Sequence, residues 1–178
     1  MVRCLIGQPI RVLSHNQNRK RHTMTRDTTV FHIRYSFHIE TMHATLYNRL
    51  DKLLTFAQIL LGSTIFATLG NLTLLGALVT LMAAISFVWQ PGKAAMLYEI
   101  QAKKMKELIT KTDTFSDSEL HFAYIKAEET DNPTLGLLRE AAHKRALITQ
   151  GRESESALIK LSLSEKVVAW FAGDLPKP

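Results

Sequence analysis

Residues 59–89 read ILLGSTIFATLGNLTLLGALVTLMAAISFVW, an apolar run that contains glycines, threonines and an asparagine but no charged side chain. The run lies within a longer uncharged stretch between Lys52 and Lys93, 40 residues in all. As a helix rising about 1.5 Å per residue, this stretch would extend for roughly 60 Å, twice the thickness of the hydrocarbon core of a bilayer. A single transmembrane span therefore does not account for it.

A turn near the middle divides the stretch into two spans. Gly70 and Asn71 form a dipeptide that readily adopts turn conformations. We therefore predict a transmembrane hairpin over residues 53–92, with helices over about 53–69 and 72–89. The alternative is a core hairpin of a soluble protein, which we disfavour because neither half has the charged outer face of a surface helix.

Charged residues flanking the spans predict their orientation. Basic residues stand on the side of both spans away from the turn: Arg49, Lys52, Lys93, Lys103, Lys104 and Lys106. Because positive charge favours the cytoplasmic side, both termini should face the cytoplasm of a cell whose inner membrane is crossed twice. The single cysteine, Cys4, excludes an intrachain disulfide and is consistent with a reducing compartment.

The formal net charge of +6 resides in the N-terminal part of the chain. Residues 1–52 contain nine Lys/Arg against three Asp/Glu, whereas residues 93–178 contain thirteen of each. A basic N-terminal arm over residues 1–29 includes Arg19, Lys20 and Arg21, which are candidates for contact with nucleic acid or anionic lipid. The alternative is a solvated leader that only helps to set the membrane topology.

Residues 30–52 connect this arm to the first span. Apolar and polar side chains alternate through VFHIRYSFHIE, which favours a half-buried strand. Such a strand would add to the sheet of a partner protein through Phe31, Ile33, Tyr35 and Phe37. The alternative is that these residues form the first turns of a helix that continues into the bilayer.

Small and polar residues follow one face of the predicted spans. At about 100° per residue, six positions of the second span fall within an arc of about 120°: Thr73, Gly76, Ala77, Thr80, Ala83 and Ala84. We call them the small-residue face. In the first span Thr55, Gln58 and Gly62 align in the same way, with Ser63 beside them. Close approach of small residues drives association of helices in lipid, so this face either packs the hairpin together or lines the contacts of an oligomer, where it would border a pore. Gln58 either finds a polar partner or reaches the membrane interface.

The remaining residues, 93–178, predict a cytoplasmic helical domain. Leu97, Ile100, Met105, Leu108 and Ile109 mark the apolar face of a first helix after Pro91-Gly92. Further helices are predicted from the capping box of Ser116 and Glu119 to about Thr130, from Leu135 to Gln150 before Gly151, and from Ser154 to about Gly173. Pro133 separates the second from the third. The expected fold class is an all-α membrane protein with a short N-terminal strand as one alternative.

The sequence contains no pattern typical of catalysis or of a bound cofactor. We find no glycine-rich phosphate loop, no nucleophile motif and no paired carboxylates. His32, His38 and His43 are spaced by six and five residues, which places no neighbouring pair on one helix face for a metal. We therefore predict no catalytic residue, metal site or cofactor, and a protein that is not an enzyme.

The order of these features resembles the SLATT superfamily of two-transmembrane effectors of bacterial conflict systems. The segments that carry the resemblance are HATLYNRLDKLLTFAQILLGSTIFATLG, the two adjoining spans, YEIQAKKMKELI and AEETDNPTLGLLREAAHKRALITQG, which lie within residues 42–151. The resemblance implies a homo-oligomer that breaches the inner membrane when a cytoplasmic sensor is triggered. Sensors in that family include nucleotidyltransferase systems that make second messengers, and some members accompany a retron reverse transcriptase with its RNA–DNA hybrid.

Two classes of function therefore remain open from the sequence. The favoured one is an antiphage toxin of the abortive-infection type, which disrupts the membrane when its sensor releases it. The alternative is a non-lytic membrane anchor or scaffold that recruits a cytoplasmic partner through its helical domain. A holin-like lysis protein is a third choice, disfavoured because a large ordered tail would be unnecessary for lysis.

Overall fold

The computed structural model describes residues 25–63, 72–130 and 132–177, and these residues form an all-helical fold. Seven α-helices and one short 3₁₀-helix are present in these ranges, with no strand among them. Their bounds are α1 Arg26–Gly62, α2 Leu72–Trp89, α3 Pro91–Thr110, the 3₁₀-helix Thr112–Thr114, α4 Asp117–Glu128, α5 Gly136–Thr149, α6 Glu153–Leu158 and α7 Leu163–Phe171. The predicted all-α class is confirmed.

Helix α1 is 37 residues long and joins two regions of different composition. Its N-terminal two thirds pack against α3 and α5, and its last residues, from Leu53 onward, belong to the uncharged stretch. Buried positions recur at three to four residues, from Thr29 and Ile33 through Ser36 and Glu40 to His43. This spacing places them on one helix face, which lies against the rest of the bundle.

The predicted strand at residues 31–39 is wrong, because this segment is helical throughout. Burial follows the helical period rather than the alternating one: Ser36 and Glu40, from the polar set, are buried, whereas Tyr35 and Phe37, from the apolar set, are half-buried. Packing against two other helices decides the conformation here, since strand propensity is easily overridden by tertiary context. The segment predicted as a separate connector, residues 30–52, is an integral part of the bundle.

Helices α2 and α3 follow one another with a single irregular residue between them. Gln90 has a positive φ of 48°, and Pro91 occupies the first position of α3. The break predicted at Pro91 is thereby confirmed. Backbone hydrogen bonds from Gln90 to Ser86 and from Ala94 to Gln90 nevertheless span this point. The chain therefore passes from α2 into α3 without reversing its direction.

The buried face of α3 differs in part from the predicted one. Met105 is fully buried as expected, but Leu97 and Ile100 are 45% and 43% exposed. Tyr98, Gln101 and Ala102 are buried instead, because they point toward α1 and the loop before α5. The prediction of an amphipathic helix is correct, but its apolar face was placed about one residue away from the true contact face.

Two apolar clusters hold the bundle together. One cluster joins α1, α5 and α7 around Met42, Leu138 and Ala169. The other joins α1, α3 and α4 around Ile33, Met105 and Leu120. Because α1 contributes to both clusters, it is the central helix of the bundle, and its C-terminal end carries the start of the uncharged stretch.

Helix boundaries in the bundle follow local signals, with one exception. Ser116 caps α4 in a capping box with Glu119, and Gly151 ends the turn after α5 with a φ of +72°, both as predicted. The predicted cap at Ser154 is wrong, because α6 already begins at Glu153 and ends at Leu158. Ser162 caps α7 instead, in a second capping box whose partner is Glu165.

Candidate functional site: the small-residue face of α2

Helix α2 has the length and composition of a membrane-spanning segment. Within the described ranges, the helical stretch Thr73–Thr110 is long and apolar enough to cross a membrane, and its most apolar window contains no buried residue. The predicted turn at Gly70-Asn71 and the last third of the predicted first span, residues 64–69, lie outside the described residues. Of the predicted hairpin, the structure describes α2 and the end of α1.

The contact between α1 and α2 uses a face that was not predicted. The half-buried residues of α2 are spaced by four, three and four residues and turn toward α1: Leu75, Val79, Met82 and Ser86. They meet half-buried positions near the end of α1: Leu54, Ala57, Gln58 and Leu61. The hairpin therefore packs mainly through ordinary apolar side chains.

The small-residue face lies on a more exposed side of α2 than the half-buried positions that turn toward α1. All six of its members on α2 are exposed: Thr73, Gly76, Ala77, Thr80, Ala83 and Ala84. A methyl group added to Gly76 would meet no atom within 4 Å. By helical geometry the centre of this face lies about 130° around α2 from the face that contacts α1. Among the described residues, α1 therefore contacts α2 on a different side from this face.

The leucine face occupies a third side of α2. Leu74, Leu78, Leu81 and Ile85 are 70%, 42%, 58% and 41% exposed. A continuous exposed apolar surface of this kind marks a site that contacts either a membrane or another protein. A bilayer covers such a face without any specific partner, whereas close helix contact needs the small side chains beside it.

Hydroxyl groups on the hairpin have partners within the chain. Thr80 Oγ1 donates to the carbonyl oxygen of Gly76 at 2.8 Å, one turn earlier in the same helix. Because this bond already uses the hydroxyl proton of Thr80, that side chain has no proton to donate to a neighbouring helix. Its small size still allows such a helix to approach closely. Ser63 Oγ likewise donates to the carbonyl oxygen of Leu60 at 2.9 Å.

Gln58 has a specific partner on α2. Its Nε2 donates to Ser86 Oγ at 3.1 Å. Gln58 is therefore held by the neighbouring helix rather than reaching the membrane interface, the alternative considered above. Ser86 is not among the predicted residues. Its position could have indicated a contact with α1, because it is the one hydroxyl residue of α2 outside the small-residue face. Thr55 and Gly62, the other members of the predicted face on α1, are exposed.

Candidate partner-binding residues at the start of α1 are used within the chain. Ile33 is completely buried in the cluster with Met105, and Tyr35 and Phe37 pack against the two apolar clusters. Phe31 packs edge-on against the ring of His143 at 5.3 Å and lies under the guanidinium of Arg152. These four residues therefore do not form a free strand for a partner. Arg19, Lys20 and Arg21 of the basic arm lie outside the described residues.

A buried polar cluster joins α1, α3 and the loop before α5, and the sequence did not indicate it. His43 is fully buried between Ile39 and Leu135: its Nδ1 lies 2.7 Å from the carbonyl oxygen of Ile39, and its Nε2 lies 2.8 Å from the backbone nitrogen of Leu135. A carbonyl can only accept and an amide N–H can only donate, so the imidazole is neutral with its proton on Nδ1. Burial lowers the pKa of His43 below its usual 6.5, in agreement with this tautomer.

Aromatic rings extend this cluster toward the hairpin. The ring of Tyr98 stacks on His43 at 4.8 Å, Tyr47 stacks on Tyr98 at 5.3 Å, and Trp89 packs edge-on against Tyr47 at 6.0 Å. The hydroxyl of Tyr98 donates to the carbonyl oxygen of Pro133 at 2.5 Å, and burial raises the pKa of this tyrosine to about 12. A row of four rings thus connects the loop before α5 with the end of α2.

Glu40 and Gln101 complete the buried cluster. The side-chain amide of Asn132 donates to Glu40 Oε2 at 3.3 Å, and Gln101 Nε2 donates to the carbonyl oxygen of Ala127 at 2.7 Å. Glu40 therefore fixes the chain between α4 and α5 onto α1, and Gln101 fixes the end of α4 onto α3. Within the part of the chain that the structure describes, no group of three or more His, Cys, Asp or Glu side chains is arranged to hold a metal ion.

Comparison with known proteins adds no relative: no family model, no curated protein and no solved structure matches the chain.

Proposed function

We propose that this protein is a membrane-disrupting effector of an antiphage abortive-infection system, embedded in the bacterial inner membrane as a two-span hairpin. Several copies assemble side by side through the small-residue face of α2 and depolarise the membrane. A cytoplasmic sensor keeps the assembly inactive until infection. The sensor is a reverse transcriptase with its RNA–DNA hybrid or a nucleotidyltransferase system, an assignment that rests on the family resemblance alone.

The observation that carries this proposal is the exposure of the small-residue face. Gly76, Thr80 and Ala83 allow another helix to approach closely, yet α1 contacts a different side of α2. Helices in lipid gain little by burying leucine against leucine, so small residues provide the closest packing. A second copy of the same hairpin is the partner that supplies a matching face for every subunit.

Helix α1 provides a physical link between sensing and the membrane. The same 37-residue helix contributes to both cores of the bundle and continues past Lys52 into the hairpin. A helix of this length spans about 55 Å, so a rotation or shift imposed on the bundle also moves the membrane end. A sensor bound to the bundle can therefore control the hairpin without touching it.

The alternative function is a membrane anchor that recruits a cytoplasmic partner. It is favoured by exposed apolar side chains on α4 of the bundle, where Phe122 and Ile125 are 70% and 46% exposed. These side chains fit a protein docking surface on the side of the bundle that carries α4. In an anchor, the small-residue face of α2 would at most form a stable dimer and would not depolarise cells.

A depolarisation experiment distinguishes the two functions. We expect induction of the chain alone in a bacterial host to collapse the membrane potential, measured with a potential-sensitive dye, within one cell division. Co-expression with the product of the neighbouring gene should prevent the collapse, because the sensor holds the effector inactive. Normal potential at an expression level confirmed by immunoblotting of the membrane fraction would favour the anchor.

The topology of the hairpin is a separate prediction. Reporter fusions placed between Gly70 and Asn71 should be active in the periplasm, whereas fusions to Met1 and Pro178 should be active in the cytoplasm, because basic residues flank only the outer ends of the spans. Alkaline phosphatase and a fluorescent protein provide opposite readouts at each site. A cytoplasmic signal at the turn would contradict a two-span hairpin even if the cells depolarise.

A further inference from the structure

Helix α7 carries an exposed apolar surface on the side that faces away from the bundle. Leu163, Val167 and Trp170 are 81%, 65% and 67% exposed, and their spacing of four and three residues places them on one face. The opposite face is buried, since Ala169 and Ala172 belong to the cluster with Met42. A nine-residue helix that is apolar on both sides needs a second apolar environment on its outer face.

The contacts between α7 and α1 indicate what this second apolar environment is. Arg49 Nη1 donates to the carbonyl oxygens of Trp170 and Phe171, at 3.3 Å and 2.8 Å. Phe171 also lines a shallow depression with Leu53 and Phe56, the first exposed apolar residues of the uncharged stretch. The C-terminal end of α7 is thus fixed where α1 loses its charged residues.

Both tryptophans of the chain lie at this level. Trp89, at the end of α2, packs against Tyr47, two residues before the arginine that holds the end of α7. Tryptophan is enriched where a membrane protein passes from hydrocarbon to water, because its ring is apolar and its N–H is polar. Trp89 and Trp170 thus both lie beside the turn of α1 that contains Tyr47 and Arg49.

Basic side chains lie beside α7. Lys166 lies next to Val167 on α7 and is exposed, and Lys160 and Lys177 line a cavity beside the same helix. Lysines beside an exposed apolar helix face are typical of helices that lie in the surface of an anionic bilayer. A protein partner would need a complementary acidic surface as well as an apolar groove, whereas an anionic bilayer provides both across the whole plane.

We propose that α7 lies in the cytoplasmic surface of an anionic bilayer, with Leu163, Val167 and Trp170 in contact with lipid. This proposal rests on the proposed membrane insertion of the hairpin. It gives the cytoplasmic bundle a second, peripheral attachment to the membrane beside the two spans. The bundle is thereby held against the membrane instead of being tethered by the hairpin alone.

The two tryptophans allow the proposal to be tested in the complete chain. Trp89→Phe leaves Trp170 as the only tryptophan, and Trp170→Phe leaves Trp89. Each variant is reconstituted into vesicles of phosphatidylcholine and phosphatidylglycerol, part of which carries bromine near the headgroup end of the acyl chains. We expect the bromine to quench the fluorescence of Trp170 and of Trp89 to similar extents.

A matched control probes an exposed position far from the membrane. Phe122→Trp, in a chain in which both native tryptophans are replaced by phenylalanine, places the probe on α4. The start of α4 is bound to Arg26, at the other end of α1, through a salt bridge of 2.6 Å with Asp117. This probe should be quenched several-fold less by bromolipid than Trp170 and several-fold more by aqueous acrylamide.

The outcomes separate this proposal from the one on which it rests. Quenching of Trp89 but not of Trp170 would overturn the placement of α7 and leave the hairpin in the membrane. Absence of quenching for both would contradict membrane insertion itself. As a further check, Val167→Glu should reduce the quenching of Trp170 several-fold without changing that of Trp89, because a carboxylate on this face disfavours contact with lipid and leaves the hairpin unaltered.

Discussion

Replacing Gly76 with leucine should abolish depolarisation and strongly reduce crosslinked oligomers, although the protein remains folded and inserted. A Cβ at this exposed position meets no atom within 4 Å beyond the neighbouring turns of its own helix backbone, so α2 has room for the start of a larger side chain. Leucine also favours a helix more than glycine does, which excludes loss of α2 as a cause. What leucine prevents is the close approach of another hairpin.

Small energetic changes suffice for a large effect in an assembly of many contacts. A loss of about 1.4 kcal/mol at each contact lowers the corresponding association constant tenfold. We expect crosslinked oligomers to fall at least to that extent in Gly76→Leu, with an intermediate value for Gly76→Ala. The measurement combines dye-detected membrane potential in cells with oligomer size after crosslinking in isolated membranes, at equal expression.

Leu78→Ile is the matched control for Gly76→Leu. Leu78 lies on the leucine face and is 42% exposed, so a change between two aliphatic side chains there alters only the contact with lipid. Its toxicity and oligomer yield should equal those of the unmodified protein. Full toxicity of Gly76→Leu with an unchanged oligomer pattern would remove the small-residue face from assembly and favour the anchor.

The features that could be predicted from sequence are those set by neighbouring residues. Ser116 and Glu119 reveal the start of α4 because a capping box forms within four residues, and Gly151 reveals the end of α5 because few other residues adopt a positive φ. Composition likewise identifies the apolar helix, since a long uncharged run is unambiguous. Ser162 and Glu165 form an equally local capping box, which marks the start of α7, whereas the helix start predicted at Ser154 is not formed.

The features that could not be predicted from sequence are those that depend on which helix surfaces pack against each other. Alternation over residues 31–39 fits a strand, but it also fits a helix whose apolar residues are shared between two neighbours, as Ile33 and Ile39 are here. The small-residue face of α2 is readable from the sequence, but the side that α1 covers is not. Any face of an apolar helix is chemically able to form that contact, so only the placement of α1 relative to α2 in the folded protein selects it.

The buried polar cluster could not be predicted from sequence because its members are far apart in the chain. His43 and Leu135 are 92 residues apart in the chain, and the acceptor and the donor become partners only in the folded domain. No spacing rule connects such residues. His43 also lies in the row of four rings that ends at Trp89. The cluster therefore joins the loop before α5 to the C-terminal end of α2.

Replacing His43 with leucine should destabilise the helical bundle by about 2–4 kcal/mol, of which the unpaired donor and the lost packing each account for a part. The substitution leaves the backbone N–H of Leu135 without its acceptor. His43→Gln is the matched variant, because its side-chain oxygen reaches a position close to that of Nε2 and can accept the same hydrogen bond. We expect glutamine to recover about 1–2 kcal/mol relative to leucine, despite being more polar.

The two variants are compared by thermal unfolding of the detergent-solubilised protein and by hydrogen exchange of the segment around Leu135. Loss of the acceptor should increase exchange at this amide in His43→Leu but only slightly in His43→Gln. A purely steric role for the imidazole would affect both variants alike and would leave the amide protected. Equal destabilisation with equal protection would therefore contradict the hydrogen-bonding role of His43.

The pH dependence of stability provides a second, independent measurement, which compares the unmodified protein with His43→Gln. The pKa of His43 is lowered in the folded state, so the unfolded chain binds its proton first as the pH falls, and stability is lost below about pH 6.5. Protonation would also turn Nε2 into a donor that faces the Leu135 N–H. Burial lowers the pKa of His38 to about 4, which gives a loss of the same sign, but His38 is present in both proteins. The stability advantage of the unmodified protein over His43→Gln should therefore shrink between pH 7.5 and pH 5, and a constant advantage would show that the imidazole is not kept neutral by its two partners.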